Sequence, residues 1–179
     1  MFGRWREYRR TIEVLQTRVQ ALEDAARRRP VVWARFEEDH RTREVRLHVK
    51  NEGASARFAA ALSVYRGLSA PMPAPAFVPW THIRGREAMI DHGHTAALSV
   101  AHLELSAWPT ARWSVHAIDP SGARVDLPAA HASTIGGDPA DHAPQLIVEV
   151  VISTVPPLDE GVHRVVLALG PFAAERLVA

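Results

Sequence analysis

The sequence predicts a mainly β protein, an antiparallel sandwich over residues 31–179 carried on an α-helical stem over residues 1–30. Three features of the chain point there. Seven apolar residues open it at alternating spacings of three and four, Trp5, Tyr8, Ile12, Leu15, Val19, Leu22 and Ala26, which is the a/d seam of a coiled coil. Beyond Pro30 the apolar residues recur at every second position, the period of half-buried strands. Asn, Gly and Pro clusters separate these runs, with no helical periodicity between them.

In the stem, Trp5, Ile12, Val19 and Ala26 take the a positions and Tyr8, Leu15 and Leu22 the d positions. β-Branched residues at a with leucine at d favour two parallel strands, so self-association through this seam is expected. Arg18 at g faces Glu23 at the following e favourably, whereas Arg4 and Arg9 in the equivalent pair repel, so pairing is firmest toward the C-terminal half. The competing expectation is an amphipathic helix lying on the head, because about three heptads is close to the shortest run that specifies a coiled coil. Arg27, Arg28 and Arg29 close the helix, where cations complement its dipole.

After Pro30 the elements follow in order. Val32, Ala34 and Phe36 alternate with outward positions, and the chain turns over 39–42. Val45, Leu47 and Val49 alternate with Arg46, His48 and Lys50 before Asn51-Glu52-Gly53 turns it again. A strand is expected at 58–65, then an excursion at 69–79 whose four prolines keep it out of a sheet. Further strands are expected at 88–90, 95–103, 112–118, 124–127, 146–154 and 162–169, with a Gly/Pro/Ala/Asp loop between Pro128 and Pro144. On the strand at 112–118, Trp113, Val115 and Ala117 share the inward face, leaving Arg112, Ser114 and His116 outward. Trp33, Trp108 and Trp113 are expected in or near the core, and Trp80 as a lid over its edge.

The run Val45-Arg46-Leu47-His48-Val49-Lys50-Asn51-Glu52-Gly53, followed by the strand at 58–65, resembles the opening hairpin of bacterial immunoglobulin-like modules of the cell-adhesion-related type. Their next strand is similar to Gly93-His94-Thr95-Ala96-Ala97-Leu98-Ser99-Val100, and a later strand and turn to Trp113-Ser114-Val115-His116-Ala117-Ile118-Asp119-Pro120-Ser121-Gly122. The resemblance spans roughly residues 31–127 and implies an immunoglobulin-like sandwich, with 146–169 as an added hairpin. A second register competes. Val100, Trp113 and Val165 stand at spacings similar to the Cys, Trp and Cys of antibody-type domains, and Asp159, Gly161 and His163 resemble the Asp-x-Gly-x-Tyr corner, with His163 in the tyrosine's place.

The 179 residues carry a formal charge of +1 and no cysteine, which excludes a disulfide framework and thiolate chemistry. Residues 1–30 hold eight Arg against three Glu and one Asp, so the stem is basic and the head slightly acidic. Trp5 and Tyr8 stand among Arg4, Arg6, Arg9 and Arg10, the pattern of a nucleic-acid surface, but both occupy seam positions, so no nucleic-acid partner is expected. No run approaches 18 consecutive apolar residues, and no apolar leader core follows the first basic residues. A cytoplasmic location and no membrane partner are the expectation.

Ten histidines raise a metal site, with His92 and His94 as a pair and His131 or His142 as a third ligand. A cupin-like site wants a carboxylate four residues after the second histidine, where Leu98 stands, so neither a metal nor another cofactor is expected. Asp91 beside His92, and Asp138 with Asp141, are acid–base candidates by adjacency alone. The chain has no Gly-rich phosphate loop, HExxH or Gly-x-Ser-x-Gly motif. The expected function is therefore a non-catalytic protein-interaction or assembly module, with the excursion at 69–79 or the loop at 128–144 as binding edge. The alternative is a structural subunit of a phage tail or similar particle, and the third reading is an enzyme or metal-binding protein using the His92/His94 region.

Overall fold

A computed structural model of the chain describes residues 2–27, 30–39, 42–107, 110–134, 145–157, 162–170 and 174–177. A 26-residue helix, α1 (Phe2–Arg27), comes first and stops short of Pro30, which cannot extend it. Twelve strands follow: β1 (Val32–Asp39), β2 (Glu44–Asn51), β3 (Ala56–Arg66), β4 (Ala76–Phe77), β5 (Glu87–Ile90), β6 (Thr95–Ala107), β7 (Thr110–Ile118), β8 (Arg124–Pro128), β9 (Ser133–Thr134), β10 (Leu146–Thr154), β11 (His163–Leu169) and β12 (Ala174–Leu177). They form one antiparallel sheet in the order β1-β2-β6-β7-β4-β3-β10-β11-β12, with β5 on β3 and with β8 and β9 on β7. Its ends approach each other, because the Ala174 amide donates to Glu38 Oε2 at 3.1 Å and Arg176 Nη1 to the Ala34 carbonyl at 3.3 Å. The sheet is thus nearly closed and barrel-like.

Alternation makes the interior. Val45, Leu47 and Val49 of β2, Phe58, Ala60 and Leu62 of β3, and Val148, Val150 and Ile152 of β10 enter one apolar cluster with Trp113, Val115 and Ala117 of β7. The inward face expected for β7 is the observed one. Arg112 and His116 are half-buried on the other side, and Ser114, expected outward, is buried there. Trp113 also joins elements far apart in sequence. Its indole Nε1 donates to the Gly170 carbonyl, and its own carbonyl accepts the Ala129 amide at 2.8 Å.

Several expectations need correction. The proline-rich excursion does enter the sheet, since Ala76 and Phe77 pair with Leu62 and Ala61 of β3, and Phe77 with Ile118 of β7. Prolines flank this pair rather than interrupt it, and Pro79, which lacks an N–H, serves as acceptor for the Ser99 amide at 2.9 Å. The β10–β11 hairpin is not an addition, because β10 pairs with β3 from Ile147↔Arg66 to Thr154↔Phe58 and lies inside the path between β3 and β11. Trp33 is 40% exposed on the outer face of β1, under the Lys50 ammonium at 5.6 Å, as follows once Ala34 faces inward. Trp80 is not a lid but a fully buried core residue, its Nε1 donating to the Arg86 carbonyl at 3.3 Å. Trp108 lies outside the described residues. The short strands β4, β9 and β12 were not expected at all.

The Asn51 turn holds through its side chain. Nδ2 donates to the carbonyls of Ala54 at 2.8 Å and Ile90 at 2.9 Å, and Oδ1 accepts the Gly53 amide at 3.0 Å. A fully buried amide that satisfies two carbonyls and one N–H ties the β2–β3 turn to the end of β5.

Trp113→Ala is expected to cost about 3–5 kcal/mol by chemical denaturation, through the cavity left in the core. Asn51→Ala is expected to cost about 1–3 kcal/mol, because buried groups lose their partner. A near-neutral Trp113→Ala would show that β7 does not face the core in this register.

Candidate functional site

The seam residues lie on α1, where four side chains are described. Tyr8, Ile12, Leu15 and Val19 are 69%, 53%, 55% and 53% exposed. At 3.6 residues per turn their spacing places them along one side of the helix, and Ile12, Leu15 and Val19 line a common shallow depression with Gln16 and Gln20. Trp5, Leu22 and Ala26 belong to the same helix, and their side chains lie outside the described residues. The apolar stripe is thus presented to solvent and not folded onto the sheet at these four positions.

A second constellation, which sequence reasoning missed, lies on the outer face of β2, β6, β7 and β8. It depends on a β-bulge. The β2–β6 register runs Val45↔Ala101 and then Arg46↔Ser99, leaving Val100 as an extra residue on β6. Leu98, Val100, Ala101 and Leu103 are all buried, so the alternation changes phase between Val100 and Ala101. Without that extra residue His102 faces the core; with it, His102 and Glu104 turn outward to join His116 of β7 and Asp126 of β8.

The resulting contacts are short. His102 Nε2 lies 2.9 Å from Glu104 Oε1, and His102 Nδ1 lies 3.1 Å from His116 Nε2. His116 Nδ1 is 2.7 Å from Asp126 Oδ1. The two ring planes differ by 14°, with centroids 4.7 Å apart. Beside them Ser99 donates its hydroxyl to Glu44 Oε1 at 2.6 Å, and Arg46 grips Glu44 Oε2 through Nε at 3.0 Å and through Nη2. A cleft of about 310 Å³ opens between Glu44, Ser99, His116 and Asp126. Burial pushes the Glu44 carboxyl up, but the hydrogen bonds from Arg46 and Ser99 outweigh it and leave its pKa below the ordinary carboxylate value. Burial also dominates at His116 and holds it below the ordinary imidazole value, against the opposing pull of Asp126.

The histidines expected as ligands do not converge. His92 Nδ1 faces the Gly53 carbonyl at 3.0 Å, His94 and His131 are exposed, and His142 lies outside the described residues, as do Asp138 and Asp141. Among the described residues no group of three or more His, Cys, Asp or Glu side chains is placed to hold a metal. Asp91 is exposed in the turn after β5, and its carbonyl accepts the His94 amide at 3.0 Å. Asp159 and Gly161 lie outside the described residues, while His163 is half-buried with no hydrogen-bond partner for its Nε2 among the described residues. Among them, too, no helix is long and apolar enough to cross a membrane. Comparison with family models, curated proteins and solved structures finds no match to this chain.

The β7–β8 hairpin was the readable part of the histidine cluster. Its Asp119–Gly122 turn sets His116 opposite Asp126 by simple counting from Ile118↔Arg124. The only trace of the bulge that brings His102 to them is the shift of the apolar phase from Leu98 and Val100 to Ala101 and Leu103.

His163, like His116, is held below the ordinary imidazole pKa of 6.5, first by burial and then by the Arg176 charge. A base that binds its proton less tightly when folded contributes stability above pH 6.5, and that contribution is lost as pH falls through the folded value. His163→Gln should therefore flatten the acid side of the stability profile, read by urea denaturation at stepped pH. An unchanged slope below pH 6.5 contradicts this.

Proposed function

We propose that this chain is a non-catalytic assembly module in which the helical stem pairs with a second copy and displays an immunoglobulin-like β head. The observation that carries the reading is the stripe of Tyr8, Ile12, Leu15 and Val19, each more than half exposed along one side of a 26-residue helix. In proteins most of a helix's stability comes from packing its apolar face rather than from intrinsic propensity. A second copy supplies a matching face with β-branched residues at a and leucine at d, and Arg18 meets Glu23 across the pair.

Three features support the immunoglobulin-like reading of the head. The motifs that resemble such modules fall at turns, the Asn51 turn, Gly93 with φ 76° and the Asp119 turn, where Asp119 Oδ1 accepts Ser121 Oγ at 2.6 Å and the Ala123 amide at 2.9 Å. Val100, Trp113 and Val165 are all fully buried in one core, which fits valine–tryptophan–valine packing where antibody-type domains have a disulfide against tryptophan. The two-residue β4 joins β2-β6-β7 to β3-β10-β11, a narrow connection of the kind expected between two layers.

Equilibrium sedimentation of the full chain tests the assembly. An oligomer is expected at tens of micromolar, and Leu15→Asp with Val19→Asp, which sets charges in the seam, should give a smaller species with the strand signal in circular dichroism unchanged. A wild-type monomer at that concentration overturns the proposal.

A further inference from the structure

We infer that His102 and His116 share one added proton and form a pH-sensitive clamp across β6, β7 and β8. Proton count decides it. Three contacts run end to end, Glu104 Oε1 to His102 Nε2, His102 Nδ1 to His116 Nε2, and His116 Nδ1 to Asp126 Oδ1, at 2.9, 3.1 and 2.7 Å. Each contact needs one hydrogen, and ionised carboxylates bring none. Two neutral imidazoles bring two hydrogens, so one contact is left with lone pair against lone pair. Two imidazolium ions bring four, and the central contact then sets N–H against N–H. A pair holding three ring protons, one imidazolium and one neutral imidazole, satisfies all three contacts at once.

Exposure assigns the charge. The His102 side chain is 26% exposed and that of His116 15%, so the cation rests on His102. His102 then donates from Nε2 to Glu104 and from Nδ1 to His116 Nε2, and neutral His116 donates from Nδ1 to Asp126. The lowered pKa of His116, caused first by burial and further by the charge of His102, agrees with that assignment.

The charges facing the pair come from every neighbouring strand. Glu44 of β2 stands opposite His102 and is held by Arg46. Glu104 lies on β6 itself, paired in register with Arg112 of β7. Asp126 of β8 favours a charge on His116, and Arg124 of the same strand opposes it. Acidic groups thus bound the relay at both ends, which retains the one added proton. The burial of His116 and the charge already on His102 resist a second.

The clamp is tightest at intermediate pH. As pH rises the pair loses its third proton and one contact becomes repulsive; as pH falls a second imidazolium forms and the central contact becomes repulsive. Its contribution to stability is therefore bell-shaped in pH.

Long-range nitrogen–proton NMR on the full wild-type chain reads the occupancy of each ring nitrogen. At neutral pH both nitrogens of His102 are expected to carry protons while His116 carries one, on Nδ1. His102→Gln, whose amide donates and accepts with no added proton, should remove the alkaline fall of the unfolding midpoint. One proton on each ring at neutral pH overturns the inference, and so does a difference between wild type and His102→Gln that stays flat across the imidazole range.

Discussion

The Trp113 indole sets the condition that the rest of the head must meet. It is the bulkiest inward group of β7 and fully buried, and an indole N–H inside a core needs an acceptor. The acceptor is the Gly170 carbonyl just beyond β11, on the far side of the path from β7. That contact fixes how the β10–β11 hairpin sits against β6 and β7. The apolar faces of β2, β3, β6, β10 and β11 then close around one interior. The nearly closed sheet follows, since its free ends are joined by Glu38 to the Ala174 amide and by Arg176 to the Ala34 carbonyl.

The same packing produces the polar outer face. Strands buried on one side present their alternate residues to solvent, and those of β2, β6, β7 and β8 happen to be Glu, Arg, His and Asp. One unpaired residue at Val100 changes which of them meet. The histidine relay is therefore a consequence of register more than of residue content. Its neighbours differ from the Glu149 site, where a buried carboxylate is held by Tyr65 and by Arg164 Nε at 2.8 Å, an ion pair that joins β3, β10 and β11.

The stem obeys a different rule. The head buries its apolar residues within one chain, whereas the described stripe of α1 remains in water. Heptad spacing reports that such a stripe exists, and the structure leaves its four described residues exposed.

The strand alternation and turn residues were legible because they are local. Val45, Leu47, Val49 and the Asn51-Glu52-Gly53 turn describe β2 and its end correctly, and the heptad pattern describes α1. Strand neighbours were not legible, because pairing between β3 and β10 joins residues more than eighty positions apart and carries no local signal. Nor was the role of the proline-rich segment, where two residues between prolines suffice to bridge β3 and β7 once those strands are in place. Of the polar cluster, His116 with Asp126 lay within reach of hairpin counting though the pair was not foreseen, while His102 and Glu104 required the bulge. By itself the sequence determined the helix, the longer alternating strands and the turns after β2 and β7, since these depend on neighbours within a few positions. The tertiary structure alone decided strand order, closure and the meeting of His102 with His116, because each depends on a register set by packing between distant segments.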